Sequence, residues 1–232
     1  MAVRRRPRLR IDIVTLFPGM FAGPLSESIV ERARQRGILE LGVTTPRDFT
    51  EDRHRTVDDR PYGGGAGMVL MAEPLYRTIR KLRRLRRGSK VILMSPQGRR
   101  FDQKLARGLS RQKHLILVCG HYEGIDERLM DFVDMELSIG DYVLTGGEIP
   151  AMAVADAVTR LLPGVLAKEE AAAQESFSEG LLDFPQYTRP RKWRGREVPE
   201  VLLGGDHARI AEWRRRAALG ATRRKRPELV KK

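Results

Sequence analysis

Cys119 is the single cysteine in 232 residues, so no intrachain disulfide can form. It closes the apolar run Leu115-Ile116-Leu117-Val118-Cys119 and reads as a buried thiol of a reducing compartment. No stretch approaches the about 20 apolar residues that span a bilayer. The basic start, Met1 to Arg8, leads into no secretory apolar core, because Asp12 interrupts the next run. These features predict a cytoplasmic protein without membrane contact. Several catalytic signatures are also missing. Histidines are few and scattered (His54, His114, His121, His207), and no Cys/His cluster has metal-site spacing, which argues against a structural zinc. There is no Gly-x-Ser-x-Gly elbow. Phe17-Pro18-Gly19-Met20 stands where a dinucleotide-binding chain, or the common methyltransferase fold, carries its glycine-rich first turn. Gly63-Gly64-Gly65-Ala66-Gly67 lacks the Lys-Ser/Thr that completes a P-loop.

Acidic residues are in short supply. Asp and Glu number 30 against 44 Lys and Arg, giving a net charge of +14. Such a surface attracts polyanions. An arginine-rich proteome would raise the count evenly, but here the cations are grouped. Five arginines fall within residues 4–10, eight basic residues within 77–90 with no acid among them, and 15 basic against 5 acidic residues within 189–232. Apolar residues make up 41%, enough for a globular core.

Along the chain, residues 11–17 read as a first strand ended by Pro18-Gly19, followed by a helix near 25–36 and a strand near 38–44. Residues 45–67 read as one long polar loop, and 73–87 as a basic helix. Short apolar runs at 91–94, 115–119 and 133–139 alternate with helical stretches at 102–109 and 125–131. This alternation predicts a parallel sheet covered on both faces. Glycine-bearing segments follow each run: Ser95-Pro96-Gln97-Gly98, Gly120 to Gly124, and Ile139 to Gly147. They would share the carboxyl edge of the sheet, where open α/β sheets bind ligands. Pro150 opens a helix whose apolar face is Ala151, Val154, Ala155, Val158 and Leu162, with Asp156, Thr159 and Arg160 on another face. Residues 165–190 read as a linker bearing Glu169, Glu170, Glu175, Glu179 and Asp183. The remainder is the most basic part and has helical character near 206–219. From the residues alone, the chain is an α/β domain with a small-molecule site and a basic tail suited to RNA or DNA. No reaction follows from that.

The motifs go further. Asp58-Asp59-Arg60-Pro61-Tyr62 with its glycine run, Ser95-Pro96-Gln97-Gly98, Gly120-His121-Tyr122-Glu123-Gly124-Ile125-Asp126-Glu127-Arg128 and Ser138 to Glu148 occur in that order. Gly180 to Pro190 and Val198 to Leu203 follow them. Together they resemble the bacterial tRNA (guanine-N1)-methyltransferases that modify guanosine 37, a family of the SPOUT superfamily. The resemblance implies an α/β parallel-sheet domain with a deep trefoil knot, plus a small, mainly helical C-terminal domain. The implied layout is a basic N-terminal extension at 1–8, a knotted domain at 9–164, a linker carrying the catalytic acid at 165–190 and a tRNA-binding domain at 191–232.

It also implies S-adenosylmethionine as methyl donor. Gly120, Ile139, Gly140, Asp141, Tyr142, Val143 and Leu144 would hold it, helped by Met94, Ser95, Pro96 and Gly98. Tyr122, Gly146, Gly147 and Pro150 complete that set. Glu175, where the family most often has aspartate, would be the general base, and Arg160 would stabilise charge on O6. Tyr62, Gly63, Gly64, Ser176 and Asp183 would meet the substrate. Arg189, Arg191, Lys192, Arg194, Arg214 and Arg215 would meet its phosphates, joined by Arg216, Arg223 and Arg224. The family's Mg2+ dependence points to Glu123 as a ligand of a partly hydrated ion. The implied assembly is a homodimer that shares its active sites, acting on tRNA with guanosine at position 37, with no DNA partner. Two other readings stay open: a SPOUT-type methyltransferase on another RNA target, and a non-catalytic RNA-binding protein.

Overall fold

The computed structural model describes residues 7–166, 175–177 and 180–230. Most of the N-terminal extension, and the linker acids Glu169, Glu170 and Glu179, lie outside the described residues. The chain divides into two compact units, Met1–Ala167 and Lys168–Lys232.

The strands of the first unit are β1 (Leu9–Val14), β2 (Leu39–Thr44), β3 (Asp58–Asp59), β4 (Val69–Leu70), β5 (Ser89–Arg100), β6 (His114–Cys119) and β7 (Met135–Ser138). Its helices are α1 (Ser28–Gln35), α2 (Ala72–Arg83), α3 (Gln103–Ser110) and α4 (Glu148–Thr159). Five strands form one sheet in the order β2-β1-β6-β5-β7, and every pairing is parallel. The central strand β6 is buried along its whole length, as a continuous apolar run in a two-sided parallel sheet requires. Its side chains alternate between two cores. Leu115, Leu117 and Cys119 join residues of α1, α3 and α4, while Ile116 and Val118 join Leu75, Ile79 and Leu82 of α2. Ala151, Val154, Ala155, Val158 and Leu162 are all buried, as their spacing predicts.

Asp12 is the exception in β1, a carboxylate 1% exposed. Its oxygens accept from Arg10 (Nε 2.5 Å, Nη2 2.8 Å) and sit 2.7 Å from His114 Nε2. Ser89 Oγ lies 2.7 Å from His114 Nδ1 and donates to the Arg86 carbonyl at 2.8 Å. A buried charge is tolerated when it is paired and hydrogen-bonded on all sides.

Four elements differ from the sequence reading. The polar stretch 45–67 is not one open loop: it holds a 3-10 helix at Pro46–Phe49, started by the Thr45 side chain, and the strand β3, which pairs with β4 just beyond the stretch. The stretch near 125–131 is a 3-10 helix, Glu127–Phe132, capped by Asp126. α4 starts at Glu148, so Pro150 lies inside its first turn, where a missing N–H costs nothing. The segment 95–98 is no terminal loop but a bulge within the twelve-residue β5.

In the second unit, β8 (Lys192–Trp193) and β9 (Arg196–Glu197) form a hairpin. Its turn residues Arg194 and Gly195 have φ of 48° and 78°, as a two-residue hairpin turn demands. The helix expected near 206–219 is α5, His207–Lys225. Asp206 caps it by accepting from Ala208 and Arg209 N–H. Among the described residues, no helix is long and apolar enough to cross a membrane.

Candidate active site

The bulge of β5 and the carboxyl ends of β6 and β7 converge on a cleft of about 390 Å3, within the range of small-ligand sites. Its first wall is the β5 bulge. Met94 and Arg99 both align with Leu137 of β7, so Ser95 to Gly98 are looped out of the ladder. Pro96 has no N–H to offer a ladder and is at home in a bulge. Gly98 lies against β7; a Cβ there would come within 2.7 Å of Leu137 Cα.

The second and third walls are tied together. His121 and Gly146 form an antiparallel bridge, and Gly147 N–H donates to the Gly120 carbonyl at 2.8 Å. A Cβ on Gly147 would be 2.7 Å from Cys119 Cα and 3.0 Å from Gly120 N, so backbone approaches backbone there. The Ser138 hydroxyl donates to the Gly140 carbonyl at 2.9 Å and accepts from Gly140 N–H at 3.2 Å, which sets the turn after β7. Phe17, His121 and Tyr122 stack edge to face, with centroids 4.9 and 4.7 Å apart.

Of the residues expected to hold the donor, Met94, Ser95, Pro96, Gly120, Tyr122, Ile139 and Gly140 line this cleft. So do Tyr142, Val143, Leu144, Gly146, Gly147 and Pro150. Gly98 and Asp141 are not among its lining residues: Gly98 packs on the β7 backbone, and Asp141 is exposed. Glu123 lines the cleft, and a Cβ on Gly67 would be 2.5 Å from its carboxylate. The glycine run therefore ends beside the cleft, with Tyr62, Gly63 and Gly64 exposed on it. Arg160 is the C-terminal cap of α4. Among the described residues, no group of three or more His, Cys, Asp or Glu could hold a metal ion.

Glu175, Ser176 and Asp183 belong to the second unit. Ser176 Oγ accepts from Asp183 N–H at 2.9 Å, and the Asp183 carboxylate accepts from Phe184 N–H at 2.7 Å. Arg189, Arg191, Lys192, Arg194, Arg214 and Arg215 are all exposed. Lys192 pairs with Glu197 at 3.1 Å, and Arg214 lies over the Phe184 ring.

Sequence reasoning assigned Glu148 no role, yet its carboxylate, next in sequence to the cleft-lining Gly147, is buried and accepts from Thr15 Oγ1 at 2.7 Å. A carboxylate in the first turn of a helix also suits the helix dipole. The available signal was an acid directly after two glycines at a helix start. Burial, and then the Glu148 charge, push the Cys119 thiol well above its ordinary value.

Sheet and cleft define a parallel α/β protein with a backbone-lined cleft of small-ligand size at the carboxyl edge of the sheet. A family model described as tRNA (Guanine-1)-methyltransferase TrmD matches residues 9–232. A tRNA (guanine-N(1)-)-methyltransferase of Dictyoglomus turgidum is 55% identical over 224 residues, covering 97% of this chain and 91% of that protein. One of Desulforudis audaxviator is 57% identical over 221 residues, covering 95% and 89%. One of Geobacter sulfurreducens is 55% identical over 225 residues, covering 97% and 92%. The chain belongs to the tRNA (guanine-1)-methyltransferase family.

Proposed function

We propose that this protein transfers a methyl group from S-adenosylmethionine to N1 of guanosine 37 in tRNA. The observation that carries the reading is the cleft itself: three backbone-rich walls at the carboxyl edge, in a chain of this family. Backbone N–H and C=O groups can read an adenine edge, and the walls formed by 94–96, 120–122 and 139–147 offer them at a suitable volume. Gly98 and Asp141 would act from behind the lining, one by letting β7 close on the bulge. When bound, S-adenosylmethionine supplies the methyl group as an electrophile and leaves as a neutral thioether.

The residues supply the rest. Guanine N1 carries a proton and is a poor nucleophile, so the Glu175 carboxylate takes that proton as N1 is alkylated. Arg160 stabilises the negative charge that develops on O6. Glu175 carries one methylene more than the family's usual aspartate, a change of about 1 Å that the pose of the base must accommodate. Arg160 ends α4 roughly 15 Å along the axis from Pro150 at the cleft. This separation supports a homodimer in which one protomer's Arg160 serves its partner's cleft. Exposed Tyr142, Val143, Leu144 and Ile149 offer apolar surface for such a contact. A trefoil knot made by the cleft segments belongs to the same proposal, supported by β7 closing on both sides of the bulge.

Tyr62, Gly63, Gly64, Ser176 and Asp183 would surround the flipped guanine. Arg189, Arg191, Lys192, Arg194, Arg214 and Arg215 would contact anticodon-stem phosphates from the helical C-terminal part. Of the residues that could ligate Mg2+, Glu123 is at the cleft; the described residues build no protein cage, and no step is assigned to the ion. Action on tRNA fits a cytoplasmic location.

The test is tritiated methyl transfer to an unmodified tRNA transcript with guanosine at position 37, beside the same transcript with adenosine there. Transfer to the first alone, with N1-methylguanosine on nucleoside analysis, is the expected result. Transfer to both, or to neither with a confirmed dimer, would overturn the reading.

A further inference from the structure

The edge of the sheet opposite the cleft carries charge that this reaction leaves unused. The strand starts are aligned there, since Arg10 of β1 and Ser89 of β5 both pair with His114 of β6. The segments that feed those starts are basic: Arg8 before β1, Arg84, Arg86 and Arg87 before β5, and Arg111 and Lys113 before β6. They are fastened to one another. Arg86 donates to the Lys113 carbonyl at 2.6 Å and to the Pro7 carbonyl at 2.9 Å, and Arg10 N–H donates to Lys113 O at 3.0 Å. Carbonyl partners fix Arg86 without cancelling its charge.

The acids at this edge are already matched. Asp12 is buried against Arg10 and His114, Glu40 pairs with Arg10, and Asp134 faces Arg83 at 3.4 Å. Arg8, Arg84, Arg87, Arg111 and Lys113 are exposed, and none has a carboxylate partner among the described residues. Like charges held together by fixed loops cost stability unless a polyanion is bound. Arginine dominates the set, and its planar fork matches phosphate oxygens two at a time. A membrane surface would need an apolar face beside the charge; among the described residues the large apolar side chains exposed here are Leu85 and Phe132, too few to make one.

We propose that this amino edge is a second RNA-binding surface, which grips the sugar-phosphate backbone of the tRNA away from the base that is methylated. The proposal rests on tRNA being the substrate. Six residues of β1 separate the two edges by about 20 Å, a gap that a folded RNA bridges and a small substrate does not.

The test uses the full-length protein and the variant Arg84→Gln/Arg87→Gln/Arg111→Gln/Lys113→Gln. The probes are the guanosine-37 transcript and vesicles of phosphatidylserine and phosphatidylcholine. RNA affinity is measured against salt without methyl donor. The log–log slope should become shallower by up to about 2.8, from about 0.7 for each phosphate that the variant no longer neutralises. KM for tRNA should rise about tenfold at constant kcat, with donor affinity unchanged and the melting temperature of the free protein no lower than wild type. An unchanged slope and KM would overturn the proposal, as would lost vesicle binding with RNA binding intact. Because the slopes need no turnover, an inactive wild-type protein would refute the reaction and still leave the edge tested.

Discussion

Replacing Asp12 by asparagine keeps the shape of the side chain and removes its charge. The wild-type carboxylate meets three nitrogens, two from Arg10 and one from His114, at 2.5–2.8 Å. An asparagine has one carbonyl oxygen to accept with, so its amide nitrogen must face a donor. Breaking a buried ion pair from one side costs about 3–5 kcal/mol. Arg10 keeps 18% of its side chain exposed and retains Glu40, so the lower part of that range applies, about 3 kcal/mol. For a chain of this size each kcal/mol moves the midpoint by about 2–4 °C, giving a fall of roughly 6–12 °C.

Differential scanning fluorimetry reads this fall, and it has a companion in acid. Burial pushes the Asp12 carboxyl up, but hydrogen bonds from His114 and Arg10 and the Arg10 charge outweigh it, leaving the group below its ordinary range. Its stabilisation is therefore present above the ordinary carboxylate range and is lost as pH falls through the lower native value. Wild type should lose its advantage over Asp12→Asn in strong acid. A midpoint within about 2 °C of wild type at neutral pH would refute the account of Asp12 as the anchor of β1.

The Cys119 thiol, 2% exposed and raised by its surroundings, should resist alkylation by iodoacetamide at pH 8 and react fully once the chain unfolds; modification of the native protein within minutes would contradict this. Gly147→Ala puts a Cβ against the Cys119–Gly120 backbone and Met94 Cβ and should weaken S-adenosylmethionine binding about tenfold or more by calorimetry, whereas a Kd within twofold of wild type would show that these walls move freely. Glu175→Gln should abolish methyl transfer and leave donor binding nearly intact, and turnover near the wild-type rate would remove Glu175 as the base. Arg160→Ala should slow the single-turnover step more than it lowers tRNA affinity; a pure binding defect would reassign it.

The parallel sheet was legible because β1, β5 and β6 are apolar runs separated by helical spacing, and periodicity reports burial directly. Cys119 was legible for the same reason, and it is buried. The β5 bulge was not. Ser95-Pro96-Gln97-Gly98 has the composition of a turn, and nothing local reveals that Arg99 and Arg100 rejoin β7 beyond it. Pairing of that kind is a tertiary fact, fixed by Leu137 rather than by the bulge's own residues. The pairings of Asp12 with His114 and of Thr15 with Glu148 span 102 and 133 positions. A buried acid looks the same in sequence as a solvated one until its partner is found. For the cleft, the three glycine-bearing segments were recognisable from residue types, but the roles of single residues came from family resemblance.

The bulge in β5 bears on how the protein is made. Arg99 and Arg100 have one ladder neighbour, β7, and the cleft's first wall owes its shape to that pairing. On a ribosome, residues 89–100 emerge long before residues 135–138 exist to meet them. During that interval the chain can assemble β1, β2, β6 and the near half of β5, but the far half waits with its backbone unpaired. Capacity to hold a ligand then appears only when β7 and the wall that follows it, Ile139 to Gly147, have arrived, rather than growing as the sheet grows. Ligand affinity in a truncated or nascent chain therefore reports completion of the sheet, and a small molecule that favours the cleft also favours the last strand pairing of that sheet.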